Sequence, residues 1–115
     1  MRRKFDLYLF DILEAIERIE EYTSGMDFED FNKNKMALDA VLRNLEIIGE
    51  ATSQINNEIK EKYKEVPWKD IQDFRIVVAH HYWKINKERV WDIVENKLNT
   101  LNKQIDSIIS KENLK

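Results

Sequence analysis

A chain of 115 residues can bury one core but not two, so residues 1–115 read as a single domain. Two glycines and one proline in a highly charged chain suit long helices with short connections, and the absence of cysteine excludes a disulfide framework or a thiolate metal site. A net charge of −3 argues against a sequence-independent nucleic-acid coat, which would be basic, without excluding an enzyme that binds nucleic acid transiently.

The opening Met1-Arg2-Arg3-Lys4 is basic, but Asp6 and Asp11 interrupt the run from Phe5 to Leu13, so it lacks the apolar heart of a signal peptide. No stretch approaches the roughly 18 apolar residues of a membrane span. The expectation is a cytoplasmic protein with no membrane association.

The first helix is predicted over about Arg3 to Tyr22. Phe5, Leu9, Ile12, Ile16 and Ile19 step by three and four and so share one face. Thr23-Ser24-Gly25 ends it, with Gly25 as the C-terminal cap. Phe28 and Phe31 fall in a short extra helix or turn near residues 27–33 that plugs one end of the core. The second helix is predicted as the longest, from about Asn34 to Lys62, with Leu38, Val41, Leu45, Ile48, Thr52, Ile55 and Ile59 on its inner face. Gly49 inside it costs about 1 kcal/mol relative to Ala, which points to close approach of another backbone.

Pro67 starts the third helix, where Ile71, Phe74 and Val78 face inward and His81 would extend that face. Asn86 is the predicted N-cap of the fourth. Its stripe is Trp91, Val94, Leu98, Leu101, Ile105 and Ile108, and the polar tail over 110–115 is expected to fray. Four amphipathic segments with short connections predict an all-α, up-and-down four-helix bundle.

Most of the chain is scaffold. The exception is Phe74-Arg75-Ile76-Val77-Val78-Ala79-His80-His81-Tyr82, which sets a permanent cation, two imidazoles and a phenol in an apolar run. A bundle helix can carry an Arg whose stem covers apolar surface while its head reaches water. The functional alternative is a cation that grips phosphate beside a residue that moves protons. On an ideal helix Arg75 and Tyr82 lie nearly on one face, but Arg75 and His80 are about 140° apart. Joining them needs a helix that ends or distorts near His80, a bent Arg side chain, or a partner subunit.

His80 and His81 are adjacent and point apart, and no His-Glu-x-x-His pattern exists, so no metal or other cofactor is expected. Glu46 and Glu50 are one turn apart and could hold a cation, though a solvated face or a partner for a nearby Arg or Lys is the commoner use. Trp68, Trp83 and Trp91 lie around the histidines in the sequence and read as core or interface anchors, with base stacking a secondary role.

At Arg75, the four residues Ile76 to Ala79, His80, His81 and Tyr82, the sequence resembles the HepT family, within the HEPN superfamily of helical ribonucleases. The resemblance extends to Tyr8–Ile16, to Asn44–Ala51, to Val66-Pro67-Trp68 and to Val90–Val94. Family members often carry Asn directly after the motif Arg, where this chain has Ile76. The resemblance implies a HEPN-like bundle and a metal-independent endoribonuclease toxin of a type VII-like toxin–antitoxin pair. It implies Arg75 and His80 as the catalytic pair, in a homodimer or higher even oligomer whose two motifs face a shared cleft. It also implies silencing by a separate minimal nucleotidyltransferase antitoxin that transfers AMP from ATP to Tyr82. Glu50 and His81 are expected to support the pair without acting on RNA. The competing expectation is a catalytically inactive helical dimer that serves as a binding module for the nucleotidyltransferase.

Overall fold

The apolar stripes of the sequence close on one another as helices. The computed structural model describes the backbone of residues 4–79 and 85–114 and the side chains of residues 6–76 and 85–114. Among these, every regular element is helical, which makes the fold the expected all-α bundle. Helix α1 spans Lys4–Thr23, α2 Phe28–Lys33 and α3 Lys35–Ser53. Leu9, Ile12, Ile16 and Ile19 of α1 are completely buried, as are Val41, Leu45 and Ile48 of α3. Each such side chain contributes about 1.5–3 kcal/mol. Exposed ion pairs such as Arg43–Glu46 contribute only about 0–1 kcal/mol, so apolar burial sets the arrangement.

The predicted end of α1 and the predicted start of α3 hold. Gly25 takes φ +77 just beyond α1, the left-handed conformation that a glycine adopts without strain. Asn34 caps α3 by accepting the Ala37 N–H at 2.9 Å. The predicted plug is the short helix α2. Asp27 and Asp30 form a reciprocal capping box at its start, and Phe31 is completely buried.

The second predicted helix is two helices. Helix α3 stops at Ser53, and α4 covers Asn57–Lys62. Thr52 and Ser53 turn their hydroxyls back to the carbonyls of Ile48 and Glu50, at 2.7 and 2.6 Å. Asn56 then opens α4 by accepting the Ile59 N–H at 2.9 Å. These short polar side chains offer the backbone an alternative to continued helix.

The third predicted helix also divides. Pro67 is the N-cap of α5, Trp68–Gln72, and a turn at Asp73 leads into α6, Phe74–Ala79. Ile71 and Phe74 are buried as predicted; the side chain of Val78 lies outside the described residues. Trp68 is a core anchor, its indole N–H donating to the Tyr63 carbonyl at 3.0 Å.

The last helix starts where predicted, with Asn86 accepting the Arg89 N–H at 3.0 Å. It has three parts: α7, Lys87–Asp92, a π-helical turn over Ile93–Lys97, and α8, Leu98–Lys111. The Leu98 N–H reaches back five residues to the Ile93 carbonyl. That wider turn absorbs one residue, so the buried stripe runs Val90, Ile93, Leu98, Leu101, Ile105 and Ile108. Trp91 and Val94, predicted for this stripe, are only partly buried. Trp91 instead packs on Phe31 of α2, ring centroids 5.1 Å apart.

The tail is held, not frayed, as far as Leu114. Asn113 takes φ 57, its N–H bonds the Ser110 carbonyl at 3.1 Å, and the Leu114 N–H bonds the Ile109 carbonyl at 3.0 Å. This is a Schellman cap with Asn in the usual glycine position. Just before it ends, Glu112 accepts from the Tyr63 hydroxyl at 2.5 Å and pairs with Lys62 at 2.7 Å.

The helices converge on α3, which packs most extensively against α1 and then against α6 and α5. A Cβ at Gly49 would stand 2.8 Å from the Arg75 backbone N and 2.9 Å from the Gln72 carbonyl O. Backbone atoms cannot swing aside, so the predicted close approach is real and its partner is the start of α6.

Two outcomes follow. Gly49→Ala should destabilise the protein by about 1–3 kcal/mol, because overpacking outweighs the gain of about 1 kcal/mol in helix propensity; thermal unfolding checks this. The hydrogen bond to Glu112, with burial second, pushes the Tyr63 phenol up to about 12 from an ordinary 10. Between those values the unfolded chain has lost a proton that the folded chain retains, so stability should fall as pH rises through that window. Chemical denaturation of wild type and Tyr63→Phe across it should show the steeper fall only in the wild type.

Candidate active site

The turn at Asp73 sets the start of α6. The Asp73 N–H bonds the Lys69 carbonyl at 2.9 Å, and the Ile76 N–H returns to the Asp73 carbonyl at 2.9 Å. Phe74 is thereby driven into the core, and Arg75, one residue on, emerges at the surface. Gly49 lets the Arg75 backbone press against α3, and the adjacent Glu50 meets its side chain. The Arg75 Nη1 donates to Glu50 Oε2 at 3.1 Å.

The two side chains are 38% and 60% exposed. At that exposure the pair contributes about 0–1 kcal/mol, so its main effect is to orient the guanidinium. A guanidinium carries five N–H donors, and Glu50 is its single partner among the described residues. No other acceptor among the described residues meets it, and its remaining donors suit an anion with two acceptor oxygens, such as a phosphate.

Beside this pair lies a groove of about 450 Å³ between α1 and α3. Its walls include Tyr8, Asp11, Arg43, Ile47 and Gln54, and Glu50 stands among them. A second cleft, about 520 Å³, opens between α5–α6 and the last helix, over Ile71, Phe74, Ile93 and Leu101. Arg75 lines neither.

Of the residues singled out from sequence, Arg75 and Glu50 are brought together. His80, His81, Tyr82 and Trp83 lie outside the described residues. Ile76, in the position where Asn is common in the resembled family, is 48% exposed beside Arg75. Glu46 pairs with Arg43 at 3.0 Å, so the two carboxylates serve separate arginines. Among the described residues, no group of three or more His, Asp or Glu is placed to hold a metal. Nor is any helix among them long and apolar enough to cross a membrane.

Sequence reasoning gave Glu50 a supporting role at the site, or a nearby Arg or Lys as partner, and gave Gly49 the close approach of some backbone, without naming either contact. Both partners are Arg75. The available signal was adjacency: a glycine that admits one residue's backbone is followed by a carboxylate within reach of that residue's head group.

Comparison with known proteins bears on the same region. The family described as ribonuclease HepT-like matches residues 12–108. A Methanocaldococcus jannaschii protein provisionally named an RNase is 43% identical over 102 residues, covering 89% of this chain and 84% of its own. A Caldanaerobacter subterraneus protein with the same provisional name is 38% identical, over 91% of this chain and 94% of its own. A Thermococcus cleftensis protein provisionally named ribonuclease HepT is also 38% identical, over 94% and 98%. No solved structure matches the chain. The match runs from the core of α1 to the buried end of α8, through Gly49, Glu50 and Arg75, and the chain therefore belongs to the HepT-like ribonuclease family.

Proposed function

We propose that this chain is a metal-independent endoribonuclease toxin whose RNA site is built on Arg75 and His80. The observation that carries the reading is a partly exposed guanidinium, fixed on one edge by Glu50 and met by no other partner among the described residues, in a chain of the HepT-like ribonuclease family. RNA brings its own nucleophile. His80 takes the 2′-hydroxyl proton, the 2′-oxygen attacks the phosphorus, and the 5′-oxygen leaves with a proton supplied by a second acid. In a homodimer that acid would be His80 of the partner subunit. Arg75 bridges two phosphate oxygens and stabilises the extra negative charge of the transition state. The products end in a 2′,3′-cyclic phosphate and a 5′-hydroxyl.

A separate nucleotidyltransferase would silence the enzyme by moving AMP from ATP onto Tyr82. The added nucleotide would set bulk and a negative phosphate in the RNA site, near the guanidinium that binds substrate phosphate. The second reading, an inactive dimer that docks this transferase, has one observation in its favour: Ile76 offers an exposed apolar surface directly beside Arg75.

Expression and cleavage assays separate the two. Arg75→Ala and His80→Ala should each slow RNA cleavage by about 10²–10⁴-fold and relieve growth arrest, with melting temperatures near wild type. A wild-type protein that leaves RNA intact and binds the transferase tightly would favour the docking module. Co-expression with the transferase should add whole AMP mass steps to the wild type and none to Tyr82→Phe, which should still cleave RNA. AMP on Tyr82→Phe would place the modification at another residue.

A further inference from the structure

A cluster of lysines lies on the face formed by the end of α4 and the start of α5, the helix just before the one that carries Arg75. A shallow depression of about 380 Å³ is bounded there by Lys60, Lys64, Pro67, Trp68, Lys69 and Asp70. Three ammonium groups and one carboxylate share its rim. Lys69 is paired with Asp73 at 3.1 Å and Lys62 nearby with Glu112, but Lys60 and Lys64 have no partner among the described residues.

Lysines at a helix C-terminus complement the helix dipole, which explains why α4 ends in cations. It does not explain why the Lys60 ammonium is partly withdrawn from water with no carboxylate to offset that. Burial lowers the Lys60 pKa, and no carboxylate among the described residues pairs with it to offset that. An anion from outside would supply the missing charge.

The floor of the depression is preformed. The Trp68 indole is locked by its bond to the Tyr63 carbonyl, and exposed Pro67 forms a rigid ridge beside it. Lys69 pairs with Asp73 at 3.1 Å, and Arg75 is two residues beyond Asp73, so at most about 7 Å of chain separates that pair from the Arg75 backbone. One strand can therefore reach both. The total charge of the chain is −3, so attraction for a polyanion has to come from local patches of this kind.

We propose that the depression bounded by Lys60, Lys64 and Lys69 binds backbone phosphates of the single-stranded RNA that flank the bond cut at Arg75. The inference rests on the ribonuclease reading for its substrate and adds where the rest of the strand is held. Because the contacts are to phosphate, they lengthen the bound segment without reading its bases.

A 2′-O-methyl oligonucleotide lacks the attacking hydroxyl and reports binding without cleavage. Its affinity for the full chain, measured by fluorescence anisotropy over a range of salt, tests the surface directly. The double variant Lys60→Gln, Lys64→Gln should bind at least roughly fivefold more weakly, with the slope of log affinity against log salt reduced by about 1.4, from about 0.7 per lost single-strand phosphate contact. The control double variant Lys33→Gln, Lys103→Gln, on other faces, should match wild type. Circular dichroism melting confirms that the variants are folded. Equal affinity and slope in the Lys60/Lys64 variant overturn the proposal, as does a wild type that fails to bind the oligonucleotide. Competition by polyaspartate as strong as by RNA at equal charge also overturns it, because the surface would then serve acidic protein. A wild type that binds through these lysines yet leaves unmodified RNA intact upholds the surface and defeats the nuclease reading instead.

Discussion

Contact between two helix backbones at Gly49 is the constraint on which the candidate site depends. The Arg75 amide and the Gln72 carbonyl occupy the space that any other residue would fill with a Cβ. The contact buries no large side chain, so its importance lies in position, not in energy. It fixes the height and angle at which α6 leaves the core, and it thereby decides where the Arg75 head group emerges. Glu50 acts on the same residue from one position further along α3. A single dipeptide controls the backbone of the arginine and the direction of its side chain.

Around that contact the chain uses inexpensive local chemistry to turn sharply. Asparagines at positions 34, 56 and 86 each cap a helix by accepting the N–H three residues ahead. Each is worth about 1 kcal/mol, comparable to the whole effect of an exposed ion pair. They keep connections short, and α5 and α6 fold against α3 as brief segments. The site sits at the end of that folded-back run.

Much of this was legible from residue order, and the omissions have physical causes. Apolar spacing in threes and fours located the buried face of α1 and of α3, and Gly25, Asn34 and Asn86 correctly marked the end of α1 and the starts of α3 and α7. The break after Ser53 was hidden because Thr52, Ile55 and Ile59 keep helical spacing across it, and all three remain buried. Periodicity reports burial, and burial continued through a turn. In the last helix the error ran the other way. Counting back from Leu98 in steps of four and three lands on Val94 and Trp91, whereas the π turn puts Ile93 and Val90 inward. No pattern in that segment announces a five-residue step. At the site, residue types singled out Arg75, but its pairing with Glu50 joins positions 25 residues apart and depends on the packing of α6 on α3.

The π turn also divides the last helix into two rods with a fixed angular offset. The forward rod, α7, meets α2 through Trp91 and Phe31, while the rear rod, α8, lies along α1. Each rod satisfies its own neighbour because the phase slip between them frees it from the other's register. An inserted or deleted residue ahead of Asn86 would be a matter for the connection and the forward rod alone. The rear rod, clamped at its far end by the Asn113 cap, would keep its seat. The chain can thus vary in length ahead of Asn86 while the frame behind it stays in place.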